Sequence, residues 1–528
     1  MNTAASHQTP DLGLSDRRLF YALVALLVWV PLPLGSNRPW SQALMELGIF
    51  ALAGLWLGLA LRGRVAPTAA WSHARWPLVA LIGWLLYGLL QVLPLPFAWL
   101  TVLSPRAAQQ WLETTLALTG GPPPTYATLS LDPHASLVSW RLGLALISLF
   151  VLILMLVRSR RRLRILASTL VLAAVLQAML AGWLTLAGEP FLFIAATGRA
   201  HGTFANPNHL AGFLEMTIAL GIGLLIADLA QPNRRMTWRQ RLRAWTRTLL
   251  GPKARLRIYL AILVSTLVMT ASRMGNTAFF TSLAITGLIG VLSFRRSPRP
   301  VLILLFSLVL VDLLILGSWF GLDRVRERLE QTVLTEDARY QIGVRATRYL
   351  EDYPWLGSGG GSFSSVYPAY RNAESIPLHF AHAENDVLEL QLEYGIIGML
   401  PLVAGVVLSL GAALRVLWSR RDALSRGMAF ASLMGVTAIL IHSTADANLH
   451  IPANAALFMV LLALPWLGLA IGHEEEPVQP EHSGQRVEVP RRPDIRGPRS
   501  GGPAATPSRR HRATTSAQTR ARPDQSAP

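Results

Sequence analysis

Long apolar runs separated by short polar connectors dominate this chain, and that pattern sets the first expectation. Apolar runs of about 17 to 25 residues are long enough to cross a bilayer as helices. They fall at 19–36, 40–61, 77–96, 140–157, 165–187, 208–228, 257–272, 275–293, 301–320, 387–414, 428–445 and 453–472, twelve in all. The least secure boundary is Ser272-Arg273-Met274-Gly275-Asn276, where one re-entrant element would also fit. The pattern predicts an all-α polytopic membrane protein. Residues 19–36 follow Arg17 and Arg18 and could pass for a signal peptide, but further spans follow, so an uncleaved first helix is expected. No internal repeat is evident.

The connectors carry the orientation, because short cytoplasmic loops are enriched in Lys and Arg. Every second one is basic: Arg158 to Arg164, the stretch 229–256 with Arg234, Arg235, Arg239, Arg241, Arg243, Arg247, Lys253 and Arg255, then Arg295, Arg296 and Arg299, then Arg420, Arg421 and Arg426. With Arg17, Arg18, Arg62, Arg64 and Arg75 they share one side of a twelve-span chain, which places both termini in the cytoplasm. The opposite, outer side receives 97–139, 188–207, 273–274, 321–386 and 446–452. The first of these follows Leu93-Pro-Leu-Pro96 and contains Gly120-Gly-Pro-Pro-Pro124, so short helices in a structured loop are expected. The longest opens with Asp323, Arg324, Arg326, Glu327, Arg328 and Glu330 among Leu and Val, a pattern for helices lying on the membrane or capping a cavity.

Composition agrees with this architecture. Of 528 residues 52% are hydrophobic and only 15% charged, against about 25% charged in ordinary soluble domains. A net charge of +18 would suggest nucleic acid in a soluble protein, but the basic residues sit in alternate connectors and in the tail, so no nucleic-acid partner is expected. There is no cysteine, hence no disulfide framework and no thiol chemistry. From about 473 to 528 apolar residues nearly vanish in favour of Pro, Gly, Ser, Thr and Arg, so a disordered basic cytoplasmic tail is expected, able to touch anionic lipid.

Candidate chemistry concentrates where polar residues run directly into an apolar helix, at His382-Ala-Glu-Asn-Asp386. His382 and Glu384 could each act as a general base, while Asn385 could equally cap the following span. Glu389 and Glu393 lie one turn apart inside the apolar run, where carboxylates are costly. Asn206 is a good helix cap and Pro207 suits a first turn, so a helix N-terminus with an affinity for anions is expected beside Arg199 and His201. Arg273 is the one charged residue between about 258 and 294, and a guanidinium matches a phosphate bidentately; a turn residue between helices reads the same way. Tyr353-Pro-Trp-Leu-Gly-Ser-Gly-Gly-Gly-Ser-Phe363 lacks the Gly-Lys-Ser/Thr ending of a phosphate loop and reads as a flexible turn supporting an outer cavity. His442 and Asp446 are four apart between the last two spans. No His-x-x-x-His pairing comes with a third ligand, so neither a required metal nor a cofactor is expected.

Taken in order, these blocks resemble the O-antigen ligase and polymerase superfamily of membrane glycosyltransferases. The matching pieces are Arg199 with Gly202-Thr-Phe-Ala-Asn-Pro-Asn208, Ser272-Arg273, Pro354 to Phe363 before Tyr367 and Tyr370, Asn385 through Gly398, and His442 with Asp446. The first 190 residues match in topology and around Leu129-Ser-Leu-Asp-Pro133, which is similar to polysaccharide-polymerising members. The resemblance implies a GT-C-like fold and a bacterial inner-membrane location. It also implies an undecaprenyl-diphosphate-linked glycan donor and inverting, metal-independent transfer on the periplasmic face. Arg199 and Arg273 match family arginines that hold the diphosphate, with His201 and Asn206 beside them; Glu389, Glu393, His442 and Asp446 would support the site. The family pattern places His before Asn, Ser or Gln, then nine residues, then Gly-x-x-Gly. Asn385 and Gly395 fit that register, but Glu384 stands where the family has His. The base is then Glu384, or His382 two residues earlier, and the change tilts the expectation from ligation onto lipid A core in lipopolysaccharide toward a polymerised or transferred surface polysaccharide or exopolysaccharide.

The resulting division is a cytoplasmic N-terminus at 1–18, an N-terminal bundle at 19–190 with the loop 97–139, a catalytic membrane domain at 191–472 with the loop 321–386, and the tail at 473–528. Expected partners are the lipid-linked donor, a glycan or lipid A-core acceptor, the bilayer and other polysaccharide-assembly proteins. A flippase of lipid-linked glycan and a non-catalytic assembly subunit are the alternatives.

Overall fold

The computed structural model describes residues 12–191, 194, 198–228, 252–293, 345–371 and 380–471. The expected span 301–320, the amphipathic opening of the loop 321–386, the basic connectors 229–251 and 294–300 and the tail 473–528 lie outside the described residues.

The first helix, α1 (Leu12–Trp29), stops just before the Pro31-Leu-Pro33 sequence and gives way to a short 3-10 turn at Leu34–Ser36. Pro39 then opens α2 (Pro39–Leu61), at a first-turn position where its missing N–H costs nothing. After α3 (Ala69–His73), α4 (Arg75–Val92) ends at Leu93, the residue before Pro94, where α geometry is disfavoured. Helices α5 (Phe97–Leu103) and α6 (Pro105–Thr119) fill the next connector, which is pinned by a two-residue antiparallel pairing of β1 (Leu95–Pro96) with β2 (Tyr126–Ala127). Asp132 caps α7 (Pro133–Leu156), accepting from the Ala135 N–H at 2.9 Å, and Ser159 caps α8 (Arg160–Ala187). Then come α9 (Pro207–Ala227), α10 (Pro252–Met269), α11 (Arg273–Ser293), a helical stretch at 345–352, α12 (Phe363–Val366), α13 (Asp386–Ser419), α14 (Ala423–His442) and α15 (Pro452–Ile471).

Among the described residues nine helices are long and apolar enough to cross a membrane: α2, α4, α7, α8, α9, α11, α13, α14 and α15. The runs expected at 19–36 and 257–272 are helical in part, as α1 and α10, but each of these helices begins with charge, Asp16, Arg17 and Arg18 in one and Lys253, Arg255 and Arg257 in the other. Between α10 and α11 the chain breaks, with Ala271 at φ 50°, so two helices stand where a single re-entrant element was an alternative.

Helices α9 and α15 are buried along nearly their whole length, and α9 packs closely on α14 where Gly223 meets Gly427. A Cβ on Gly223 would lie 2.4 Å from the Gly427 carbonyl oxygen, the small-residue contact that lets apolar helices approach closely without a hydrophobic drive between them. A second, smaller core joins the two long connectors: Leu100, Ala107 and Leu129 pack with Tyr349, Phe363, Tyr367 and Leu392. The Leu131 N–H donates to the Ser358 carbonyl at 2.9 Å, and Arg106 pairs with Asp352 at 3.1 Å. These connectors therefore form one folded layer against the first turns of α13.

Candidate functional site

Helix α13 begins where the sequence concentrates its polar residues. Asn385 is the cap, its side chain accepting from the Leu388 N–H at 3.0 Å, and the Asp386 N–H donates to the Ser443 carbonyl at 2.9 Å, fastening this helix start to the loop after α14. Glu384, half-buried just before the cap, holds φ 54°. A left-handed backbone costs a non-glycine residue roughly 1 to 2 kcal/mol.

Nearly three turns further on, α13 is interrupted at Gly395, whose backbone (φ 62°, ψ −178°) leaves helical geometry. The freed groups are paired by the glycine-rich segment: Ser358 and Gly359 N–H donate to the carbonyls of Leu392 and Glu393 at 3.0 and 2.9 Å, and the Ile396 and Ile397 N–H groups donate to Pro354 and Trp355 carbonyls at 3.0 and 3.1 Å. A Cβ on Gly395 would lie 2.3 Å from the Trp355 carbonyl oxygen, and one on Gly357 2.2 Å from that of Glu393. The segment expected to be a flexible turn is thus held by backbone hydrogen bonds, because buried N–H and carbonyl groups at a helix break must find partners. Glu393, buried beside the break, accepts from the Phe363 N–H at 3.1 Å.

Four side chains meet at the start of α13. His382 Nδ1 lies 2.9 Å from Glu389 Oε1, and His450, from the loop before α15, places Nε2 3.3 Å from the same oxygen. His450 Nδ1 lies 2.6 Å from Asp386 Oδ1. The second oxygen of each carboxylate is held by backbone, Glu389 Oε2 by the Ala383 N–H at 2.7 Å and Asp386 Oδ2 by the Leu449 N–H at 2.9 Å. Asp386 and Glu389 are buried, whereas the side chains of His382 and His450 are 33% and 22% exposed, so the cluster opens to the outside through its imidazoles. Burial works against a charge on His450, but the Glu389 and Asp386 carboxylates outweigh it and push its pKa up to about 10.

A second group lies between α9, α11 and α14. Arg199 donates from Nε to the Thr270 carbonyl at 2.8 Å and from Nη2 to Asn208 Oδ1 at 2.8 Å; Asn208 in turn donates to Asp446 Oδ2 at 2.6 Å. His209 Nε2 stands 3.3 Å from the other oxygen of Asp446. Burial raises the Asp446 pKa, but the hydrogen bond and charge of His209, then His442 and Asn208, hold it below the ordinary carboxylate range. His442, fully buried, sits between Glu215 (3.3 Å) and Ser272 (3.4 Å), and the Ser272 oxygen accepts from the Gly275 N–H at 3.2 Å, capping α11 beside the exposed Arg273.

The structure therefore brings the predicted residues to one end of the bundle in two linked groups. Arg199, His442 and Asp446 belong to one, with Arg273 on the turn that Ser272 caps; His382, Glu384, Asn385, Glu389 and Glu393 belong to the other; residues 442 to 450 and the Asp386–Ser443 bond join them. His201 is buried, with Nδ1 3.0 Å from the Gly202 carbonyl, and Asn206 spends its side chain capping α9 through the Asn208 N–H at 2.9 Å. Sequence reasoning gave no role of their own to Asn208, His209, Glu215 or His450. Glu215 was signalled, as the one charged residue in the apolar run of α9, where an acid is costly. His450 was not, because its partners lie 64 and 61 positions away.

Residues 258–403 match the family model described as O-antigen ligase. The match takes in Arg273 and the whole stretch from His382 to Gly398, and stops short of Arg199 and of the loop that carries Asp446 and His450. A comparison with curated proteins found no match.

Proposed function

We propose that this multi-pass membrane protein, a member of the O-antigen ligase and polymerase superfamily, transfers or polymerises a glycan carried on undecaprenyl diphosphate, at the periplasmic face of the bacterial inner membrane. The observation that supports this most strongly is convergence: the turn bearing Arg273, the loop bearing Arg199 and the polar start of α13 share one end of the bundle. A doubly phosphorylated lipid head group gives two guanidiniums at such an end a common ligand.

In this reading the acceptor hydroxyl oxygen attacks the anomeric carbon from the face opposite the diphosphate. A carbon–oxygen bond to the sugar forms as the bond to the diphosphate breaks, with inversion. The hydroxyl proton passes to Glu384, and undecaprenyl diphosphate leaves with its charge opposed by Arg199 and Arg273. Glu384 is taken as the base because it stands at the family His position and is held in a strained backbone state of the sort that persists at functional sites; His382, whose Nδ1 rests on Glu389, is the rival base. The transfer step uses no metal. The Glu at the family His position favours polymerisation or transfer of an exported polysaccharide over ligation to lipid A core.

The test is a reconstituted assay with purified full-length protein, a lipid-linked donor and a glycan acceptor. Formation of a glycosidic bond without another enzyme supports the transferase. Arg199→Ala and Arg273→Ala should each lower the rate by about 100-fold or more at unchanged protein level. Full activity in both variants would remove the diphosphate site, and movement of the donor across vesicles without bond formation would make the protein a flippase.

A further inference from the structure

We infer that His382, Glu389 and His450 form a binding site for one divalent transition-metal ion, with Asp386 as the outer carboxylate that orients His450. This site goes beyond the transferase reading and does not depend on it.

The geometry comes first. The ligand atoms of the three residues all lie within 4.8 Å of one another. Two of the separations are 2.9 Å, His382 Nδ1 to Glu389 Oε1, and 3.3 Å, His450 Nε2 to the same oxygen. Zinc holds nitrogen and oxygen at about 2.0 to 2.2 Å in a tetrahedron, which spaces neighbouring donors by about 3.3 Å. The separation between the two imidazole nitrogens, at most 4.8 Å, exceeds that spacing by up to about 1.5 Å, so an ion enters as the two partly exposed imidazoles turn toward each other.

The surroundings match what such sites need beyond their ligands. A metal-bound imidazole usually donates its other N–H to a carboxylate, which fixes the tautomer that leaves the second nitrogen free for the ion. His450 does this, with Nδ1 2.6 Å from Asp386 Oδ1. Asp386 is itself fixed by the Leu449 N–H, and the non-ligating oxygen of Glu389 by the Ala383 N–H. The site is thus supported from three segments: the loop before α13, the first two turns of α13, and the loop before α15.

Charge argues the same way. Asp386 and Glu389 are at most 2% exposed and Glu393 lies one turn beyond, so the first turns of α13 bury carboxylates that need positive partners. The imidazoles supply at most single charges, whereas a divalent ion brings two. Two imidazoles and one carboxylate favour zinc and its neighbours over magnesium or calcium. Three protein ligands, two of them partly exposed, leave a fourth position toward the outside, the arrangement of zinc sites that bind an exogenous ligand.

The experiment uses the full chain, purified in detergent with a tag that contains no histidine. Metal content is measured by mass spectrometry and affinity by titration with Zn2+ against a chromophoric chelator; Co2+ replaces Zn2+ to read coordination from its visible bands. One ion per chain is expected. Glu389→Gln and His450→Ala should abolish stoichiometric binding, Asp386→Asn should weaken it by about 10- to 100-fold, and His134→Ala, on α7, should change nothing. Should the buried variants fail to fold, His382→Ala in the half-exposed loop carries the test, with the loss or shift of the Co2+ bands as its readout. Folded wild-type protein that binds no Zn2+ at micromolar concentration overturns the site, as does binding that survives Glu389→Gln and His450→Ala. Either result leaves the transferase reading standing, because no step of that reaction is measured.

Discussion

At the scale of single residues, Glu384 tests function against fold. Its φ of 54° carries left-handed strain of roughly 1 to 2 kcal/mol. A glycine there would relieve that strain while adding only about 0.5 to 1 kcal/mol of chain entropy. If Glu384 were kept for its backbone, Glu384→Gly would remain active. As the base, it should lose about 100-fold or more in transfer rate in both Glu384→Gly and Glu384→Gln, while the unfolding temperature of the glycine variant stays the same or rises. Asn208 gives the complementary case, since it touches no reacting group in the proposed mechanism and works through Arg199. Asn208→Ala should raise the donor KM by about 10-fold, the effect of one lost charge-assisted hydrogen bond of roughly 1.5 kcal/mol, with a smaller change in kcat; an unchanged KM would show that Asn208 does not orient Arg199. Glu384, Arg199 and Arg273 were legible in the sequence because charge is conspicuous among apolar residues. Asn208 and His450 were not: a neutral amide at a helix start reads as a capping residue, and the carboxylates facing His450 come from a different helix.

At the scale of elements, α13 decides the shape of the site. The apolar run 387–414 was read as one span, and hydropathy alone could not show the break, because Gly395 is itself apolar and Ile396, Ile397 and the residues beyond continue the run after Glu393 and Tyr394. Nor could it show that the glycine-rich segment is the partner of that break, since pairing at a helix interruption is made by backbone groups that side-chain patterns do not register. Gly395→Ala should therefore act on both at once. A backbone at φ 62°, ψ −178°, adopted in practice by glycine and costing another residue about 1 to 3 kcal/mol, adds to a Cβ placed 2.3 Å from the Trp355 carbonyl oxygen, so thermal unfolding in detergent should occur several degrees lower and transfer should fall with it. A variant that keeps the wild-type midpoint would mean that α13 can run straight without disturbing the layer packed on it. Helix starts were read far better than this interior break: Asn206-Pro207 and Asn385 both cap helices where the sequence placed them, because capping is a local match of side chain to N–H.

At the scale of the whole molecule, sidedness is the remaining physical question, and the absence of cysteine makes it directly measurable. Among the described residues, nine of the apolar runs coincide with helices long and apolar enough to cross a membrane. Charge asymmetry between connectors then predicts which end faces outward, but a folded chain without a bilayer has no inside. The predicted site lies at the end of the bundle that holds the start of α13 and the close of α14, while the far end of α13 reaches Ser419, followed by Arg420 and Arg421. Single cysteines at two exposed positions, Thr444→Cys in the loop after α14 and Arg421→Cys after α13, should separate the two ends. With a membrane-impermeant maleimide on spheroplasts, Thr444→Cys should label at once and Arg421→Cys only after permeabilisation. The positive-inside rule concerns only short loops near spans, and here it agrees with the chemistry: a glycan donor already delivered to the outer leaflet, and a site built where it can be met. The reverse labelling pattern would put Arg199, Arg273 and Glu384 in the cytosol, where the proposed periplasmic transfer could not occur whatever their geometry.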